Sequence, residues 1–109
     1  MKVITLHTPV AVNSLYNHLL QKLVPLFRER RKENFDLQIE KNGDTIEISQ
    51  PGLYEGVLFW LKVAGSEIQI TRNEHYVDDV NSLTIESILN VLFEDMTNDA
   101  RGVDLVTEG

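Results

Sequence analysis

Residues 35–72 alternate apolar and polar side chains in four successive runs, and the turn signals between the runs leave little freedom in how they pair. Phe35, Leu37 and Ile39 share one face of the first run, with Asp36, Gln38 and Glu40 on the other. Ile46 and Ile48 repeat the pattern around Glu47, and Ile68 and Ile70 repeat it around Gln69. A period of two is that of a strand with one face buried. Between the first two runs, Asn42-Gly43 is the strongest short hairpin signal, because both residues tolerate the positive φ of a type I′ turn. A two-residue loop there pairs Lys41 with Asp44, Ile39 with Ile46 and Leu37 with Ile48, so turn chemistry and hydrophobic pattern agree on one register. Gln50-Pro51-Gly52 marks the next turn, proline setting φ and glycine accepting φ > 0. Ala64, Gly65 and Ser66 reverse the chain again. Gly65-Ser66 is the preferred loop, since a type II′ turn takes glycine first.

The third run, residues 54–64, breaks the rule. Val57, Phe59, Leu61 and Val63 continue the buried face, yet Leu58 and Trp60 fall where the neighbouring strands carry Asp36, Glu40, Glu47 and Glu67. In a meander this strand is interior, so its outward apolar residues stand in the middle of an acidic face. Tryptophan is enriched at interface hot spots. Leu58 and Trp60, with Lys62 as the next outward residue, are therefore the candidate partner-binding residues, in a homodimer or toward a protein partner. Burying both apolar side chains contributes roughly 4–6 kcal/mol at ~25 cal/mol per Å². That anchors a complex without holding it alone, because association costs are large. The alternative is a local cover, supplied by the N-terminal strand or the C-terminal tail.

Outside the sheet, residues 2–7 alternate weakly and end at Thr8-Pro9, which predicts a short strand at a sheet edge. Leu15, Leu19, Leu23 and Leu26 or Phe27 recur at helical spacing, with Leu20 and Val24 widening the stripe, and predict a helix over 14–32 capped by Asn13 or Ser14. Pro25 removes a backbone donor within it, so the helix is expected to kink or restart there. Residues 73–81 form a polar connection. Ile85, Ile88, Leu89, Leu92 and Met96 then predict a second helix over 82–96. The fold class is thus α+β: a two-layer sandwich in which an antiparallel meander of four to five strands is covered on one face by two helices, in the order β-α-β-β-β-β-α. Residues 1–96 form the single domain, and 97–109 an acidic C-terminal tail that frays.

Composition narrows the function. A chain of 109 residues accommodates one domain, and its 42% hydrophobic content fits a packed core. The absence of cysteine removes disulfides, thiol catalysis and Cys-based zinc sites. The apolar run after Lys2 is too short for a signal segment, and no stretch approaches the ~20 apolar residues of a membrane span. A cytoplasmic location is expected, with no membrane partner. The net charge of −7 is uneven: residues 74–109 hold nine acids against one base, Arg101. Such a surface disfavours nucleic acid, whose binding depends on neutralising phosphates. It suits a basic protein partner, or serves solubility alone.

Other candidates carry plain explanations. Arg28, Arg30, Arg31 and Lys32 could meet phosphate, but cations at a helix C-terminus also complement its dipole. Glu74, His75, Asp78 and Asp79 could hold a metal or small ligand, giving an alternative function as a ligand-binding domain, although their spacing fits no metal signature. His7 and His18 stand alone on predicted elements. No phosphate loop, nucleophile elbow or paired-acid spacing is present, so no catalytic residue or cofactor is assigned, and a small enzyme is the least favoured of the three readings. The order of elements, with Trp60 in Leu58-Phe59-Trp60-Leu61 on the meander, is similar in outline to frataxin-like domains. Those also set a helix, a meander bearing a surface tryptophan and a closing helix in a small acidic protein. Here the first helix ends basic, through Arg28, Arg30 and Arg31, where that family concentrates acids. The resemblance implies shape alone. The sequence therefore points to a small acidic interaction or regulatory module.

Overall fold

The computed structural model describes residues 2–6, 9–31, 37–76, 78–99 and 103–108, with only the backbone described over 95–99 and 103–108. The predicted order is present: β1 (Lys2–Leu6), α1 (Val12–Arg31), β2 (Gln38–Asn42), β3 (Thr45–Ser49), β4 (Val57–Ala64), β5 (Glu67–Arg72) and α2 (Val80–Asp99). A single 3₁₀ turn, Glu74–Tyr76, separates β5 from α2. Every strand pairing is antiparallel, and α1 packs on β2, β3 and α2, giving the α+β fold. The expected frayed segment over 97–109 differs: α2 runs on through Asp99, and β6 (Val103–Glu108) pairs with β1. The sheet order is β2-β3-β4-β5-β1-β6. β1 therefore lies between two strands, where the sequence places it at an edge.

The core is the one the alternation implies. Ile39, Ile46, Ile48, Phe59, Leu61, Ile68 and Ile70 come from the strands, and Leu15, Leu19, Leu23 and Phe27 from α1. Ile85, Ile88, Leu89, Leu92 and Phe93 close the cluster from α2. Phe27 takes the place left open between Leu26 and Phe27, with Leu26 only partly buried. The side chain of Met96, and Phe35 and Asp36, lie outside the described residues, as do His7 and Lys32.

α1 continues through Pro25, which is exposed. Proline disfavours a helix interior. The apolar stripe spans both sides of it, from Leu15 to Phe27, and tertiary packing of such a stripe holds a helix more firmly than propensity does. The helix also starts earlier than Asn13 or Ser14: Leu15 N–H donates to the Ala11 carbonyl at 3.1 Å. Asn13 instead accepts from Lys41 Nζ, whose ammonium lies 5.8 Å from the Tyr16 ring centre.

Two turns differ in their chemistry from expectation. The β2–β3 loop is Gly43-Asp44, with Gly43 at φ 64° and Asn42 paired with Thr45. Ile39 therefore faces Ile48, and not Ile46. The slip is two residues, so each side chain keeps its face and the hydrophobic pattern is indifferent to it. At the next turn Gln50 C=O accepts from Leu53 and Tyr54 at 2.9 and 3.0 Å, and the positive φ (76°) falls at Gly56, not at Gly52. Gly65-Ser66 forms the β4–β5 loop as expected, with Ala64 paired to Glu67 and Gly65 at φ 60°.

Candidate functional site

The interior strand β4 is where sequence and structure part most usefully. Ile48 faces Phe59, but the next residue of β3, Ser49, faces Val57. Leu58 is thus the extra residue of a β-bulge, a device that re-aims side chains. Asn73 holds it in place. Its backbone N–H donates to Leu58 C=O at 2.9 Å, and its side-chain Nδ2 donates to Val57 C=O at 2.8 Å. The bulge turns Leu58 into the core, where it is 1% exposed beside Phe59, while Val57 is only half-buried. Leu58 is therefore not on the outer face with Trp60, and the apolar pair expected there reduces to the indole.

Trp60 is placed as the alternation predicts. Its cross-strand neighbours are Glu47 on β3 and Thr71 on β5, both outward positions. The ring is half-buried and does not belong to the hydrophobic core or the shell packed against it. Both helices cover the opposite face. β1 and β6 extend the sheet edge-on, with β6 three strands from β4, about 14 Å at the usual strand spacing. The strands that could have served as local cover therefore lie beside the ring, not over it.

The register arranges the outward residues in rows. One row runs Glu40, Glu47, Trp60, Thr71 from β2 to β5; the next runs Asn42, Thr45, Lys62, Gln69, Val3. Glu40 accepts from Gln38 Nε2 on its own strand. The side chain of Glu47, half-buried beside the indole, makes no hydrogen bond or ion pair within the described residues, and neither does that of exposed Lys62. The direct opposition of Glu40 and Glu47 escapes sequence reasoning, because it arises only from the two-residue slip of the β2–β3 register.

The second candidate cluster does not converge. Among the described residues no group of three or more His, Asp or Glu side chains is placed to hold a metal ion. Asp79 instead caps α2, accepting from Asn81 N–H at 2.9 Å and from the Tyr54 hydroxyl. His75 stacks edge-on against Tyr76 at 4.7 Å, its backbone N–H bound to Asn73 Oδ1 at 3.0 Å, while Glu74 and Asp78 are exposed. Tyr76 stacks in turn on Tyr54 at 5.0 Å. These are the bonds of a well-built connection.

A polar network behind that connection is the least expected feature. Asn81, 1% exposed, donates from Nδ2 to Gln50 Oε1 at 3.0 Å and accepts from Arg31 Nε at 2.8 Å. Gln50 is fully buried. The network ties the end of β3, the end of α1 and the start of α2. Arg31 is thus drawn into the fold and Arg30 reaches Ser87 at 3.1 Å, so these two arginines at the end of α1 are engaged with α2. His18 on α1 is half-buried, with its Nε2 enclosed and unpaired among the described residues. Leu53, Val80 and Leu83 are exposed at the turn and helix start, and scattered apolar side chains are ordinary on a surface.

Compared with known proteins, the chain matches no family model, no curated protein and no solved structure. The outline shared with frataxin-like domains therefore remains an order of elements. Among the described residues no helix is long and apolar enough to cross a membrane. The fold is a two-layer α+β arrangement in which, among the described residues, neither helix covers the outer sheet face.

Proposed function

We propose that this chain is a small acidic protein-interaction module that docks a protein through the outer sheet face around Trp60. One observation carries the reading: an indole stands near the middle of a sheet face that neither helix covers, flanked by Glu47 and Thr71. An aromatic ring with polar neighbours is the composition of an interface anchor, apolar at its centre and wet at its rim. The face is also rigid, since all its strands are paired into one sheet over a single core. A cytoplasmic setting fits a chain without cysteine. The metal-binding form of the alternative finds no support in the placement of Glu74, His75, Asp78 and Asp79.

Photo-crosslinking in extract of the source cells tests this. A crosslinking residue at Thr71, exposed beside Trp60, gives a discrete protein adduct, and Trp60→Ala abolishes it. The same residue at Gln21, exposed on α1, gives none. Equal adducts from both positions, or none from Thr71, refute the docking role.

A further inference from the structure

We infer that the occupant of this face is a basic segment of another protein, with an arginine side chain stacked on Trp60 and paired with Glu47. The inference rests on the docking role proposed above and names its partner chemistry. Glu47 sits directly across from the indole, half-buried, its side chain making no intramolecular hydrogen bond or ion pair within the described residues. Glu40 stands directly opposite Glu47 on its other side. Like charges opposed across a strand pair destabilise the free sheet. Lys41 does not relieve them, because its side chain is engaged by Asn13 and Tyr16 next to α1. A guanidinium relieves them and uses the ring as well: it is planar, stacks on an aromatic face and offers a fork of donors to a carboxylate. An ammonium would supply the charge without the stacking plane or the fork.

Charge across the whole face points the same way. On the outward positions of β2 to β5, Glu40, Glu47 and Glu67 stand against Lys62. A second copy of this chain would bring two such surfaces together, and like-charge juxtaposition opposes that. A basic segment meets the face with complementary charge, and the net charge of −7 steers it there.

The test uses the full chain, whose only tryptophan is Trp60. A short oligo-arginine peptide, titrated at low ionic strength, changes the Trp60 emission, and an oligo-glutamate peptide does not. Glu47→Gln weakens the arginine peptide about tenfold, the loss of one charge-assisted contact. Glu74→Gln, at an exposed position outside the strands, weakens it less than about twofold, the effect of one screened charge. Equal weakening by the two variants shows generic attraction and overturns the inference. An emission that ignores the arginine peptide, or light scattering that finds a dimer dispersed by Trp60→Ala, overturns it too. Crosslinks from Thr71 together with an inert Glu47→Gln leave docking in place and remove the arginine. Absence of those crosslinks removes both.

Discussion

Replacing Leu58 with alanine separates the observed bulge from unbroken alternation. With strict alternation, Leu58 lies on the open face and its truncation is close to neutral, as surface substitutions usually are. In the structure it is 1% exposed and packed in the main core. Removing its isobutyl group then loses about 2 kcal/mol of transfer free energy and adds a cavity term, for a total of about 3 kcal/mol. For a small domain with a urea slope near ~1.5 kcal/mol/M, that lowers the midpoint by about 2 M at unchanged slope. Urea titration followed by far-UV circular dichroism measures both quantities. A loss below about 0.5 kcal/mol would place Leu58 at the surface, remove the bulge and restore a two-residue apolar patch.

Three further substitutions probe the same packing. Asn81→Ala breaks the bonds to Gln50 and Arg31 in a buried setting, and thermal unfolding should show a loss of about 2 kcal/mol. Gly65→Ala meets open space, so its loss of about 1 kcal/mol comes from the backbone at φ 60° alone; Gly65→Asn should lose less, because asparagine tolerates that region. Glu86→Gln removes the ion pair to Arg72, whose side chains are 34% and 44% exposed, and chemical denaturation should register no more than about 0.5 kcal/mol.

The inner face of the sheet was legible because its apolar residues recur at a fixed period, and Gly65-Ser66 because a turn with glycine first has few rivals. The β2–β3 register was not. Asn42-Gly43 and Gly43-Asp44 both satisfy a two-residue loop, and they differ by a slip that moves no side chain between faces. The bulge was hidden for a different reason. Val57, Leu58, Phe59, Trp60 and Leu61 are all apolar, so alternation has no phase to reveal where a residue is inserted. Its signal was Asn73, a polar residue directly after β5 able to bind two carbonyls at once. Trp60 was found because it faces residues of opposite character. That the Glu47 side chain finds no partner among the described residues was not, since it depends on where the lysines point. The strand over 103–108 was missed because its apolar residues, Val103, Leu105 and Val106, do not hold a strict alternation among Asp104, Thr107 and Glu108.

Quenching of the single tryptophan reports where its ring lies: on the outer, acidic sheet face that neither helix covers. Acrylamide quenches the folded protein, and, each relative to a free tryptophan amide, caesium quenches it more strongly than iodide because Glu40 and Glu47 concentrate cations at the ring. Emission insensitive to all three quenchers until the protein is unfolded would contradict it.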